Sequence, residues 1–508
     1  MNMLAAPRSI DAPFPSVQVG RPIVEPEDMA RSAQTPPTIP DNIPERYRDV
    51  LTLMNEGKKQ QAETRCRELL AQTPTDPDMM ALLASLVVER GAFAEAEALL
   101  GQALKLAPQQ STTWVNMGRL LQQMRRWGEA VTHYEHAANL FPGHPQIAMT
   151  LGQLYQRMNR FAEAEAQYRT VIEKAPNAPA YVQLGMALLR QERVDEAVAA
   201  FETAISINPK LGAAYGNLGN AEQKRGNLEA AAAAYERAAA LNPNDILSYV
   251  SFGMARLKLG FAREASEIFE RALARHGSER RAAAWLPFAR AQEFGEMPTG
   301  YRAELASLVT RTTLTPPEGY ADMASFNAAL AAALDETPDL VWEPTGKATR
   351  KGAQTGLLLD NPREPFISFE KVLRRAIDAH FDGIRPEPKH PYRGQVPKTY
   401  HIDMWGTLLS EGGHQHSHIH VGGWMSGVYY VALPPTLGKG ENERDGWIEF
   451  GHPPPEFDAK FEPQTVSYEP REGDAFFFPS YLFHRTLPFS GEKRRISIAF
   501  DVKPTSWR

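Results

Sequence analysis

From about residue 43 to residue 279 the chain repeats itself with a period of 34 residues. The clearest unit is STTWVNMGRLLQQMRRWGEAVTHYEHAANLFPGH, residues 111–144. Units start near residues 43, 77, 111, 145, 179, 212 and 246, so one of them is a residue shorter than the rest. Small residues recur where two helices must approach closely: Ala62, Ala96, Ala130, Ala164, Ala197, Ala231 and Ala265. A second small residue sits near the start of most units, at Ala84, Gly118, Gly152, Gly185, Gly219 and Gly253. Tyr134, Tyr168, Phe201, Tyr235 and Phe269 are placed to fill the facing hole. Proline cannot continue a helix, and Pro74, Pro108, Pro142, Pro176, Pro209 and Pro243 mark the turn to the next unit.

This pattern resembles the tetratricopeptide repeat over roughly half the chain. The resemblance implies a right-handed superhelix of helix pairs, with a concave groove that binds peptides or other proteins. Asn116 and Asn217 share a repeat position. They are either groove-lining contacts or consensus residues of the repeat.

Composition narrows what the rest can be. The chain has 508 residues, room for two or three domains. Its net charge of −6 gives no reason to expect nucleic acid or an anionic membrane as partner. A single cysteine, Cys66, excludes an internal disulfide framework and suits a reducing cytoplasm. No apolar run reaches the length of about 18 residues that a membrane span needs. The first residues lack the pattern of a secretory signal. Residues 1–42, rich in proline and small polar residues, read as a disordered arm with too little apolar content to offset chain entropy.

After residue 280 the period fails. Residues 280–345 read as a helical connector, and a further helix is expected over 366–382. From about residue 396 the pattern turns to strands: KTYHIDMWGTLL, GWMSGVYYVALP, GWIEFG, GDAFFFP and RRISIAFDV. Glycine and proline punctuate every interval, as expected of a β-sandwich or double-stranded β-helix (jelly-roll) with flanking helices over 346–508.

Within that region lies GGHQHSHIHVGGWMSGVYYV, followed 64 residues after its last histidine by His484 and then by KRRISIAFDV. Residues two apart on a strand point the same way, so His418 and His420 can face one metal ion. His484 would complete the set from a distant strand. Arg495 offers a bidentate guanidinium suited to a carboxylate in a partly dry pocket. Alternation puts Arg495 and Ser497 on one face and leaves Arg494 outward or paired with an acidic neighbour. Tyr430 or Tyr429 would add a hydroxyl, or would be an aromatic core residue instead. His401-x-Asp403 is a competing metal pair, and its other reading is a polar strand face. His414 and His416 read as solvated loop residues or as outer neighbours of the metal.

The C-terminal region resembles the 2-oxoglutarate- and Fe(II)-dependent oxygenases, more narrowly the oxygenase domain often fused to tetratricopeptide repeats in bacteria. The resemblance covers about residues 300–508 and rests on KGAQTGLL, HIHVGGWMSGVYYV, GDAFFFPSYLFH and RRISIAF. It implies Fe(II) held by His418, His420 and His484, and 2-oxoglutarate held by Arg495 with Ser497 and Tyr430. It also implies consumption of dioxygen and hydroxylation of a substrate. The family's usual set is His-x-Asp/Glu with a later His, whereas His420 stands here at the carboxylate position. Aspartyl/asparaginyl β-hydroxylase, also with repeats before its oxygenase domain, is similar in lacking that carboxylate. Two other readings compete: a cupin that does not use 2-oxoglutarate, and a metal-free interaction scaffold. A protein or peptide substrate recruited by the repeats is the expected partner; a small metabolite, with the repeats used for homo-oligomerisation, is the alternative.

Overall fold

The structure is a computed structural model, described here for residues 45–507 other than 278, 345–346, 438–442 and 492. The arm expected over 1–42 lies outside the described residues.

Seven helix pairs run from Glu45 to Arg275. They are α1 and α2 (Glu45–Asn55, Lys59–Gln72), α3 and α4 (Pro77–Glu89, Phe93–Leu106), and α5 and α6 (Ser111–Gln123, Trp127–Leu140). Next come α7 and α8 (Pro145–Arg157, Phe161–Lys174) and α9 and α10 (Ala178–Arg190, Val194–Ile207). The last are α11 and α12 (Gly212–Arg225, Leu228–Leu241) and α13 and α14 (Ile246–Lys258, Ala262–Arg275). Within a pair the turn needs one left-handed residue, supplied by Gly57, Gly91, Arg125, Asn159, Glu192, Gly226 and Gly260 in order. Between pairs, four residues link α6 to α7 but only three link α8 to α9, so the missing residue of the short unit falls in that turn. Asn177 closes the shortened turn, its side chain accepting from the backbone N–H of Ala180.

The size pattern of the repeat has a direct physical cause. A Cβ added at Gly118, Gly152, Gly185, Gly219 or Gly253 would come within 2.5–2.7 Å of the ring of Tyr134, Tyr168, Phe201, Tyr235 or Phe269 respectively. The rings fill the space the glycines leave, and all five are buried. In the first pair the equivalent positions hold Val50 and Cys66, both buried, with the bulk shifted to the first helix. Burial pushes the Cys66 thiol up to about 12, so this cysteine behaves as a small apolar residue.

One compact unit ends at Leu241 and the other begins at Asn242. The repeats expected over 43–279 end with the seventh helix pair at Arg275, and that pair groups with the C-terminal unit. Phe269, Val250 and Leu257 share a core with the helix that follows, α15 (Arg280–Phe294). Trp285 and Phe288 of α15 pack on Phe483 with ring centroids 5.1 and 5.5 Å away. The region expected as a helical connector also holds strands. After α16 (Tyr301–Leu308) come β1 (Thr310–Thr313), α17 (Met323–Asp335) and β2 (Val341–Trp342).

The remainder is β3 (Thr349–Gln354), α18 (Phe366–Gly383), β4 (Pro397–His418), β5 (Met425–Ala432), β6 (Ile448–Phe450) and β7 (Val466–Tyr468). Then follow β8 (Asp474–Pro479), β9 (His484–Thr486) and β10 (Arg495–Trp507). They form an antiparallel sheet in the order β1-β8-β5-β10-β4-β9-β6-β7, with β3 also on β4 and β2 on β3. Phe476, Phe477, Phe478, Ile498 and Phe500 are wholly or almost wholly buried, since β8 and β10 are interior strands of this sheet, each paired on both sides.

Gly152→Ala is expected to lower stability by about 1–3 kcal/mol, the range for overfilling a packed core, since the Tyr168 ring has nowhere to move. Chemical denaturation of the full chain checks this; an unchanged midpoint would mean that the ring and glycine do not set the helix spacing.

Candidate metal centre

Strand β4 ends at His418, whose register partner on the neighbouring strand β9 is His484. Cross-strand neighbours bring their Cβ atoms within about 5 Å, so the two imidazoles meet by pairing geometry alone. His484, expected on a strand distant in sequence, lies on the strand directly paired with β4. His420 is beyond the end of β4, so strand alternation does not orient it. Its backbone N–H donates to the carbonyl of Ser480 at 2.9 Å, which fixes the turn. One ring nitrogen from each of His418, His420 and His484 lies within 4.8 Å of the others. Among the described residues this is the one such group of three.

Each ring is oriented through its other nitrogen. Nδ1 of His418 donates to the carbonyl of His416 at 2.7 Å, and Nδ1 of His484 to the carbonyl of Leu482 at 3.0 Å. Nδ1 of His420 donates to Oδ1 of Asp501 at 2.6 Å. Those bonds leave the Nε2 lone pairs free, and Nε2 of His418 and His420 stand 3.2 Å apart. Two lone pairs at that distance repel, and a shared cation relieves the repulsion. Burial, reinforced by His420, drives the pKa of His418 down to about 3. Burial likewise drives His484 well below the usual imidazole range, with His418 and His420 adding to it. Neutral imidazoles are the ligating form, and an all-imidazole set suits divalent first-row transition metals.

Asp501 was not anticipated from the sequence. Burial opposes its ionisation, but His420, the Ser426 hydroxyl and Lys503 outweigh that and hold its carboxyl below the usual range. Ser426 donates to it at 2.6 Å. Its signal was present in RRISIAFDV: Arg495, Ser497, Ala499 and Asp501 alternate, and all four line one cavity of about 670 Å³.

The same cavity contains the three histidines and Tyr430. Arg495 is 1% exposed, yet its Nε and Nη1 have no hydrogen-bond partner among the described residues. The Tyr430 hydroxyl is equally unpartnered, and the Arg495 guanidinium sits 4.9 Å above the Tyr430 ring. Ser497 faces Tyr430 in register between β10 and β5. A buried cation with free donors costs several kcal/mol unless an anion meets it, so the arrangement fits a carboxylate ligand. Burial lowers the pKa of Arg495 and raises that of Tyr430.

The other candidates go elsewhere. Tyr429 points away from the cavity and donates to Oδ1 of Asn327 at 2.5 Å. Arg494 forms a two-pronged pair with Asp335 at 2.8 Å on the surface. His401 is exposed and pairs with Asp403, 3.0 Å away, which also binds Lys503, so this pair does not join the cluster. His414 and His416, expected in a loop, are half-buried in the extended β4.

Residues 403–501 match the family described as "Putative 2OG-Fe(II) oxygenase". Three tetratricopeptide repeat families match residues 53–116, 109–177, and 149–212 with 182–246. The chain thus carries tetratricopeptide repeats in its N-terminal part, and its segment 403–501 is similar to the domain that description names. No curated protein matches it. Solved structures similar to it include proteins titled as tetratricopeptide proteins. YrrB, described as having an unusual peptide-binding site, is 21% identical over 36% of this chain and 95% of its own, with TM-score 0.34. MamA from Desulfovibrio magneticus RS-1 is 20% identical over 33% and 96%, with TM-score 0.32. The C-terminal part of a repeat protein from Cytophaga hutchinsonii is 15% identical over 47% and 98%, with TM-score 0.41.

Asp501→Asn should weaken divalent-metal binding by roughly 10- to 100-fold, the usual cost of losing an outer partner of a histidine ligand. Calorimetric titration of metal-stripped protein with Co(II) reads this, and unchanged affinity would remove Asp501 from the site. A second expectation concerns acid. Burial holds His380 down to about 4, whereas an unfolded histidine takes up its proton near 6.5. The unfolded chain therefore binds more protons over that window, and stability falls as pH drops through it. For His380 alone the loss between pH 7 and pH 5 is roughly 1–2 kcal/mol. Urea unfolding of metal-free protein at the two pH values, wild type against His380→Gln, should show the smaller pH dependence in the variant.

Proposed function

We propose that the protein is a 2-oxoglutarate- and Fe(II)-dependent oxygenase that hydroxylates a protein or peptide substrate recruited by its repeats. The observation that carries this is the pairing, in one cavity, of three convergent imidazoles with a buried arginine whose Nε and Nη1 have no partner. The first suits a metal and the second suits the far carboxylate of a dicarboxylic acid. A three-histidine metalloprotein of the cupin type has no use for the second. On this reading the antiparallel strands form a double-stranded β-helix, and the site lies inside it.

His418, His420 and His484 would hold the iron. When bound, iron with 2-oxoglutarate and dioxygen supplies the oxidising power for C–H hydroxylation, while 2-oxoglutarate is decarboxylated to succinate. The chain supplies the rest. Arg495 grips the distal carboxylate, and Tyr430 and Ser497 add hydroxyl contacts. Asp501 fixes the tautomer of His420, so that Nε2 is the ligating atom. Trp405, with its ring centroid 5.5 Å from that of His420, and Phe478, 4.7 Å from His484, keep water from the imidazoles. The repeats support a polypeptide substrate, since such arrays bind peptides and proteins. The single buried Cys66 accords with a reducing cytoplasm as the place of work.

Anaerobic titration of Fe(II)-loaded protein with 2-oxoglutarate should give a saturable visible charge-transfer band. Its absence from iron-containing protein would favour the cupin reading, and failure to retain any metal would favour a scaffold. Arg495→Ala should weaken 2-oxoglutarate binding by about 1.5–3 kcal/mol, the scale of a charged hydrogen bond, while Arg494→Ala leaves it unchanged. His484→Ala should abolish metal-dependent turnover.

A further inference from the structure

The cavity is graded in charge from floor to rim. At depth lie His484 and Arg495, 7% and 1% exposed. Nearer solvent its lining includes Arg281, Lys347 and Arg350 against one carboxylate, Glu456. Lys347 and Glu456 are exposed, and Arg281 and Arg350 are half-buried. The other acidic group in the lining, Asp501, is already committed to His420 and Ser426.

The three cations make no ion pair among the described residues. Arg350 is held in place all the same, because its Nη1 donates to the carbonyls of Lys347 and Thr349 at 2.7 and 2.9 Å. Main-chain carbonyls orient the guanidinium without neutralising it. Arg281 sits on α15, whose first turn is capped by Glu279: that carboxylate accepts from the backbone N–H groups of Ala282 and Arg281 and is close enough to feel the Arg281 charge, but forms no ion pair with its guanidinium. Trp285, four residues on, shares the helix face of Arg281 and lines the same cavity. Surface cations elsewhere on the chain commonly find partners, as Arg126 does with Glu97 and Glu129 and Arg193 with Glu165 and Glu196. The chain as a whole is acidic, with net charge −6, so a positive rim is a local feature set against the overall field.

We propose that the cavity accepts an acidic polypeptide segment, whose carboxylates are met at the rim by Arg281, Lys347 and Arg350. The cations come from two separate elements, α15 and the β2–β3 region, so they are spread to meet more than one carboxylate. Apolar surface from Met254, Trp285, Pro454 and Pro455 lies among them, which suits side chains of a peptide better than a compact polyacid. Met254 and Arg281 belong to the seventh helix pair and the helix after it, so the end of the repeat region forms part of the wall that selects the substrate. The proposal rests on the oxygenase reading for what happens to the segment once bound, but its test does not.

The probes are fluorescein-labelled peptides with one shared apolar centre and flanks of Glu, Gln or Lys. Their binding to the full-length protein is read by anisotropy at low salt, without turnover. The Glu-flanked peptide should bind roughly tenfold more tightly than the Gln-flanked one, the sum of a few exposed ion pairs, and salt should erase the difference. Arg281→Gln with Lys347→Gln should remove most of the preference, and Arg281→Glu with Lys347→Glu should transfer it to the Lys-flanked peptide. Arg350→Lys, which keeps the charge, should retain it. A preference absent in wild type, or surviving unchanged in the double variants, would overturn the proposal. So would tight, variant-sensitive binding of citrate with no peptide preference, which would assign the rim to a small polycarboxylate. A normal charge-transfer band with no peptide preference sinks this inference alone; the preference without the band sinks the oxygenase reading alone.

Discussion

Strand β4 is hydrogen-bonded to β10, β3 and β9, and the geometry of the site follows from those pairings. Its register with β9 sets His418 against His484. Its register with β10 sets Leu409 against Arg495, which fixes how far the arginine stands from the histidines along the sheet. Slipping either pairing by one residue would turn Arg495 or His484 to the opposite face. The buried, apolar β8 and β10 make such a slip costly, because Phe476, Phe478, Ile498 and Phe500 would lose their cover together. The chemistry of the cavity is therefore held by the same contacts that hold the sheet.

Polar groups inside that cavity divide into satisfied and unsatisfied ones, and the division is informative. Asp501 has His420, Ser426 and the nearby Lys503; each histidine has a partner for Nδ1. Three Nε2 atoms, two nitrogens of Arg495 and the Tyr430 hydroxyl are left facing the same space. Leaving such groups dry and unpaired is expensive, and a fold keeps them only where something else completes them. The groups that need a cation and the groups that need an anion share one cavity, which is what a metal with a chelating dicarboxylate requires.

The repeats obey a simpler rule, volume compensation between two positions in each helix pair. Where the first helix has glycine the second has an aromatic ring, and where the first has Val50 the second has Cys66. The left-handed turn residue recurs in all seven pairs, although Arg125, Asn159 and Glu192 take it without the freedom of glycine. Stacking stabilises these strained turns because the helices on either side are already held.

The sequence by itself determined the helix pairs, the size pattern within them, the strand-rich C-terminal region and the residue types of the site, since all of these are local periodicities or short motifs. The alternation Arg495, Ser497 was readable for the same reason, and Asp501 lay on that line although it was passed over. Tertiary structure decided what depends on contacts distant in sequence. It brought His420, and not the His401 and Asp403 pair, to His418 and His484, while β10 sets Asp501 beside His420 and Lys503 beside Asp403. It placed His484 beside His418 through strand order, which no spacing encodes. It grouped the seventh helix pair with the C-terminal unit, where Val250 and Phe269 share a core with Trp285 and Phe288. A period says which face of an element is apolar; only the folded chain says which other element covers it.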